Sequence, residues 1–319
     1  MKYCYAVIVS VLMFVVYSDT MYANEPSFTV TPLFPEEQID GNESYYELQL
    51  DPTESTDFEV VLHNLSSNEV TVNASLFPAV TNEHFVIDYI EAESEITNFI
   101  GVEPSVTLGP HEVKTIDVAV QVPDQAFDGI LLGGLYFEEA YDENITNGGI
   151  SNEYAYLIGL QLTNDHEQHG AIEPELSFID VEPITHENRP RINVSFQNDT
   201  AIIIDDLTVV TEIFTDEGER IASHEKVDGR MAPRSAVTYG VELSEVLKPG
   251  TYIANVTATN DVDEWVWEEE FTIEEEDFAE AEMIEEESTG SFPYWMMIMM
   301  VIAILFVPIA FILGRRGRS

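Results

Sequence analysis

Any chemistry in this chain has to come from carboxylates and imidazoles, because its 319 residues hold 60 Asp and Glu, 7 His and one cysteine. Spacing decides what such groups could do. The histidines are scattered, without a His-Glu-x-x-His or other metal-ligand pattern. His166 and His169 share the polar interval Asn164–Glu173, which reads as a solvated loop. The acid-rich turns Asp142-Glu143-Asn144 and Asp261-Val262-Asp263-Glu264 offer oxygen ligands suited to calcium, but neither has the full spacing of an EF-hand loop. Carboxylate pairs for glycoside hydrolysis are defined by separation in space, so they cannot be picked out of the sequence. No Gly-x-Ser-x-Gly elbow, Gly-rich phosphate loop or nucleophilic cysteine is present. No catalytic residue, metal set or cofactor is therefore expected, and a surface glycan hydrolase or calcium-dependent adhesin stands only as an alternative.

The elements that would position a binding surface are bounded by composition. With 12 Lys and Arg, a net charge of −48 and a pI near 4.1, the chain is unsuited to nucleic acid, which needs clustered bases for its phosphates. Adsorption to anionic lipid is disfavoured for the same reason. An apolar content of 45% is ample for real cores, and the length suggests two domains once targeting segments are set aside. Cys4 lies in the leader, so no disulfide staples the mature protein. From Asn24 to Phe292 there are 59 acids and 8 bases, a self-repelling surface that salt would screen and that suits a salty or alkaline habitat.

The ends set the topology. Lys2, the apolar run Tyr5–Tyr17 and the polar approach to Ala23 read as a signal peptide over residues 1–23. Residues 293–313 form an uncharged stretch long enough to cross a hydrocarbon layer of about 30 Å as a helix. Tyr294 and Trp295 suit the outer interface, and Arg315, Arg316 and Arg318 in the tail 314–319 suit the cytoplasmic side. The expectation is a single-pass cell-membrane protein with its N-terminal ectodomain outside, in the cell wall.

Between the ends the pattern is that of strands. Phe58, Val60 and Leu62 share one face, as do Val70, Val72, Ala74 and Leu76, with the turn Leu65-Ser66-Ser67-Asn68 between them. Ile116, Val118, Val120 and Val122 alternate after the turn Leu108-Gly109-Pro110-His111. Gly129–Phe137 and Tyr154–Leu162 are apolar on both faces and read as central strands, with Gly133-Gly134 marking a bulge or close backbone approach. Alternation resumes at Ile192, Val194 and Phe196, and Thr215-Asp216-Glu217-Gly218 supplies a hairpin turn. Trp265 and Trp267 flank Val266 and are expected to pack on one face. Short strands, regular turns and no helices predict an all-β chain of two tandem immunoglobulin-like β-sandwich domains, over 24–150 and 151–273. Nine acids in Glu274–Glu287 predict an extended spacer over 274–292. The seven Asn-x-Ser/Thr sequons carry little weight, since strands rich in these residues generate them by chance.

Several segments stand out together: Phe28-Thr-Val-Thr-Pro-Leu-Phe-Pro35, Gln38-Ile-Asp-Gly-Asn42, Ser44-Tyr-Tyr46 and Phe127-Asp-Gly-Ile-Leu-Leu-Gly-Gly-Leu-Tyr-Phe137. They continue through Asn152-Glu-Tyr-Ala-Tyr-Leu-Ile-Gly159, Ile203-Ile-Asp-Asp-Leu-Thr208, Arg230-Met-Ala-Pro233, Leu247-Lys-Pro-Gly-Thr-Tyr252 and the closing membrane segment. In this order they resemble a known family, the WxL-interacting proteins of Gram-positive cell surfaces. The resemblance implies a peptidoglycan-binding first domain, a host- or matrix-binding second domain, and wall proteins carrying WxL domains as partners. This chain departs from lysine-rich members, since Lys114 is the one base between Asn24 and His186. Glycan recognition would then rest on hydrogen bonds and aromatic stacking, with Tyr45, Tyr46, Phe127, Asp128 and Tyr136 as candidate contacts.

Overall fold

The computed structural model describes residues 26–39, 43–122, 126–140, 154–165, 171–279 and 281. The expected signal peptide, membrane segment and tail, with Tyr294, Trp295, Arg315, Arg316 and Arg318, lie outside these residues, as do His166, His169 and Asp142-Glu143-Asn144. Among the described residues no helix is long and apolar enough to cross a membrane. The described residues are all-β apart from one 3-10 turn at Ile96–Asn98, and the chain divides into two compact units, Met1–Pro78 with Glu91–His166 and Ala79–Ile90 with Glu167–Ser319.

Unit 1 is built from two sheets. One has the order β1 (Phe28–Leu33), β3 (Ser55–Asn64), β8 (Val113–Gln121), β6 (Ile100–Val102), all antiparallel. The other runs β2 (Tyr46–Gln49), β10 (Ala155–Thr163), β9 (Ile130–Glu139), β4 (Val70–Thr81), with β7 (Ser105–Leu108) also on β4. Its β2–β10 pair is parallel. Period-two alternation turns Phe58, Val60, Leu62, Val118 and Val120 of the first sheet toward Val72, Leu135, Phe137, Leu160 and Leu162 of the second, and these form one buried core. β9 is central, as its two-sided apolar run implies. Gly133 marks a close approach: a Cβ there would lie 3.1 Å from both Ile96 Cδ1 and the Phe77 carbonyl oxygen, while the pairing of β9 stays in register on both sides.

Unit 2 repeats the plan with a three-stranded sheet, β11 (Leu176–His186), β12 (Arg189–Asn198), β15 (Ala236–Glu242), and a four-stranded one, β14 (Arg220–Met231), β13 (Ile204–Thr215), β16 (Gly250–Thr259), β17 (Glu264–Ile273). The β13–β14 turn ends on Gly218 at φ +83°, a left-handed conformation that glycine adopts without strain. Trp267 stacks on Phe196 at 5.5 Å, and Trp265 also packs on this core, so both tryptophans are packing residues.

One asparagine organises the same corner of each unit. Asn64 ends β3 fully buried; its Nδ2 donates to the carbonyls of Asn68, Leu108 and Gly109, and its Oδ1 accepts from Ser66 N. Asn198 ends β12, also fully buried, with Nδ2 donating to Ile202 and Ala232 carbonyls and Oδ1 accepting from Thr200 N. The backbone repeats too, His111 N to Ser66 O in one unit and Arg234 N to Thr200 O in the other. Two of the sequons, Asn64-Leu-Ser66 and Asn198-Asp-Thr200, are therefore structural devices that satisfy buried carbonyls.

Two features depart from the strand pattern. Ala79–Thr81, the end of β4, pairs with β5 (Ile87–Tyr89) as a hairpin that belongs to unit 2. At its tip Asn82 Oδ1 accepts from His84 N and Val86 N, and Phe85 takes φ +55°. That turn sends the Phe85 ring into the unit 2 core, 5.7 Å from Phe196 and 5.1 Å from Tyr239. Phe85 O accepts from Arg230 N at 2.8 Å, Thr81 Oγ1 accepts from Ala232 N at 2.9 Å, and Arg191 donates to Glu83 at 2.8 Å from a nearly buried position. The second feature corrects the expected spacer. Beyond β17 the chain turns at Glu274–Asp277, Thr185 Oγ1 donates to the Asp277 carbonyl, and Phe278 and Ala281 are buried in the unit 2 core. These apolar side chains, three positions apart, outweigh the surrounding acids; residues 282–292 lie outside the described residues.

Candidate functional site

The second sheet of unit 1 has an inner face in the core and an outer face whose side chains follow from register. In one cross-strand row Phe77 of β4 stands beside Gly134 of β9, which pairs with Gly159 of β10. Tyr45 continues that row, one residue before the β2–β10 pairing begins at Tyr46 and Leu160. The next row is Ser75, Tyr136 and Leu157, and the row on the other side is Leu132, Gln161 and Glu47. The two glycines leave backbone alone as the floor between Phe77 and Tyr45. The rows on either side of the glycines are four residues apart, about 13 Å, so their side chains border a shallow depression over the glycine row.

The outer face carries aromatic and oriented polar groups. Phe77 and Tyr136 are stacked, centroids 4.9 Å apart and planes at 25°, and both are half-buried, while Leu157 next to Tyr136 is exposed. A stacked pair of this kind is a rigid apolar platform, suited to the C–H faces of a sugar. Tyr45 OH donates to Glu47 Oε2 at 3.4 Å, and Gln161 Nε2 donates to Glu47 Oε1 at 3.2 Å. Gln38 is fixed beside them, its Nε2 donating to the Tyr45 carbonyl and its Oε1 accepting from Glu47 N. Gln38 and Tyr45 come from separate segments of the sequence, and the pairing of Ile39 N to Glu47 O brings those segments together.

Of the five candidate contacts, Tyr45 and Tyr136 share this outer face. Tyr46 does not: it is fully buried, 4.1 Å from the Phe58 ring, donating to the Glu59 carbonyl and accepting from Leu33 N. Burial pushes its phenol pKa well up, and its ring has no surface to offer a glycan. Phe127 packs against the core, its N–H donating to Asn164 Oδ1, and exposed Asp128 follows it. Both precede Ile130, and Tyr136 lies six residues further along β9, roughly 20 Å, so they stand away from the Phe77–Tyr136 pair, at the end of the sheet where Thr163 pairs with Ile130. Phe77, Leu157, Glu47 and Gln161 were not read from the sequence. Phe77 had a local signal, since it is in phase with Thr71, Asn73 and Ser75, the outward set of β4; the others depend on cross-strand register, which no local pattern shows.

Electrostatics around this face are one-sided. From Asn24 on, unit 1 holds Lys114 as its one base, 4.0 Å from Glu103, and the other seven bases of the ectodomain fall in unit 2. Among the described residues no group of three or more His, Cys, Asp or Glu could hold a metal ion. The Asp261–Glu264 segment forms the β16–β17 turn, with Asn260 Oδ1 accepting from Val262 N and Asp263 N.

Comparisons with known proteins find two domains in chain order, with bounds that do not coincide with those of the two units. Residues 28–139 match the family description "WxL Interacting Protein, peptidoglycan binding domain", and residues 146–282 match "WxL Interacting Protein, host binding domain". No curated protein matches the chain by sequence. Similar solved structures include the chaperone–tip adhesin complex of CFA/I fimbriae (11% identity, TM-score 0.34) and the CsuC–CsuE chaperone–adhesin complex of Acinetobacter baumannii (12%, 0.37). Each covers 76% of this chain and 98% of its own. The CfaA chaperone is similar at 10% identity and TM-score 0.33, over the same shares. Two matched domains, in order and spanning both sandwiches, place the chain in the WxL-interacting protein family.

Proposed function

We propose that the protein is a non-enzymatic, membrane-anchored scaffold of the bacterial surface that binds peptidoglycan through unit 1 and presents unit 2 to WxL-domain wall proteins, host or matrix ligands. The observation that carries this reading is the outer face of unit 1, where Phe77, Tyr136, Leu157 and Tyr45 flank a backbone floor. An aromatic platform on an outer sheet face suits an extended glycan. The matched domain descriptions name peptidoglycan and host binding, and the uncharged segment 293–313 with its arginine tail supports anchoring by the C-terminus. In this arrangement the C-terminus is cytoplasmic and the sandwiches lie in the wall.

Co-sedimentation with purified peptidoglycan tests the wall-binding face. Tyr136→Ala and Phe77→Ala should each weaken binding by about tenfold, since losing an aromatic platform is worth roughly 1–1.5 kcal/mol. Ile179→Ser, at an exposed position of unit 2, should bind as the parent does. Undiminished binding by folded Tyr136→Ala and Phe77→Ala proteins would remove the assignment. Capture of secreted proteins on the purified protein tests the partner, and recovery of no WxL-bearing protein would count against it.

A further inference from the structure

The depression is bordered by one carboxylate whose orientation is fixed from both sides. Glu47 accepts from the buried amide of Gln161 on one oxygen and from the Tyr45 hydroxyl on the other, while its backbone N–H is tied to Gln38. Gln161 is 6% exposed even though it stands in the outward row, so the group that aims Glu47 is itself immobilised. An oriented carboxylate on a strongly anionic surface selects against acidic ligands and favours a cation, and a primary ammonium fits it by charge-assisted hydrogen bonding.

We propose that this face reads a glycopeptide, with a sugar ring on the Phe77–Tyr136 platform and a primary ammonium of the attached peptide at Glu47. The inference rests on the reading of the face as a peptidoglycan surface and adds the chemistry that selects among wall fragments. The dimensions agree. Tyr136 and Glu47 are two strands and four residues of β10 apart, a diagonal of about 16 Å. A three-residue extended peptide reaches roughly 10 Å, and a side-chain amine extends it by several more. A neutral glycan would engage the platform alone; an acidic peptide end would be repelled along the whole face.

Calorimetric titration of the purified protein with three probes tests this: a muropeptide with a free side-chain amine, the same muropeptide with that amine acetylated, and an N-acetylglucosamine oligomer without peptide. The free amine should bind about tenfold more tightly than the acetylated form, and Glu47→Gln should bring the free amine to the affinity of the acetylated form. Added salt should narrow the same gap. Equal affinity for both muropeptides would overturn the ammonium site and leave the sugar platform standing. Binding of none of the three would overturn the reading of the face itself. A Glu47→Gln protein that keeps its discrimination would assign the ammonium elsewhere and refute the proposal.

Discussion

Replacing Phe85 by alanine measures how far unit 2 depends on the hairpin formed by residues 79–90. The ring is 1% exposed, lies against Phe196 and Tyr239, and backs onto Gly229, where an added Cβ would come within 2.9 Å of the Phe85 Cβ. Burying a phenylalanine removes on the order of 150–200 Å² from water, worth about 4–5 kcal/mol. Measured Phe to Ala losses in cores run about 3–5 kcal/mol. Alanine keeps the left-handed φ of 55°, so no backbone relief offsets the loss; glycine would recover roughly 1 kcal/mol of it. Trp265 and Trp267 both pack on this core, so thermal unfolding followed by tryptophan emission reports on unit 2. The expected fall in midpoint is about 10–20 °C for Phe85→Ala and less for Phe85→Gly. Val86→Ser, at the neighbouring exposed position, is the control and should shift nothing. A Phe85→Ala midpoint within about 2 °C of the parent would refute the claim that the hairpin completes this core.

Asn198→Ala leaves the Ile202 and Ala232 carbonyls without their buried donor and should cost about 2–4 kcal/mol in urea unfolding, with Asn64→Ala doing the same in unit 1. Phe278→Ala should destabilise unit 2 by about 3 kcal/mol, whereas a true spacer residue would leave the midpoint unchanged. The hydrogen bond from Arg191 holds the Glu83 carboxyl below its ordinary value of 4.5. A carboxylate with a depressed folded pKa contributes stability that is fully present above the unfolded value and is lost as pH falls through the folded one. The gap in thermal midpoint between the parent and Glu83→Gln should therefore be constant above about pH 5 and narrow on further acidification; a gap that does not change with pH would show that Arg191 is not its source.

Alternation made the sandwiches legible. Phe58, Val60 and Leu62, or Ile192, Val194 and Phe196, are inward on sequence phase alone, and the structure buries them all. The Gly133-Gly134 pair reads as a bulge or a close approach, since a strand residue without Cβ serves either, and unbroken register with a crowded Gly133 decides for the close approach. What stayed hidden was pairing over distance. Nothing local in Asn82-Glu83-His84-Phe85 indicates that its aromatic ring belongs with Phe196 and Tyr239, more than a hundred residues on. The acidic run after β17 misled in a different way: counting charges concealed the apolar spacing of Phe278 and Ala281, which is what the core sees. The outer face of unit 1 was half legible, since Tyr45 and Tyr136 were singled out as aromatics, but only register joins them to Phe77, Gln161 and Glu47.

Family boundaries and folding boundaries differ in this chain, and the difference has a physical origin. The match to the peptidoglycan-binding domain runs unbroken over residues 28–139, yet Ala79–Ile90 within it is packed in unit 2. Chain crosses from one unit to the other at Pro78/Ala79, Ile90/Glu91 and His166/Glu167. A fragment cut between the two matched domains would thus deprive unit 2 of Phe85, of the Glu83 partner of Arg191, and of the Thr81 oxygen that accepts from Ala232 N. Arg191, packed over Gly240 where even a Cβ would collide with its guanidinium, would lose its carboxylate partner at the same cut. Binding measured on the host-binding match in isolation would therefore describe a different molecule from unit 2 as it stands in the whole chain.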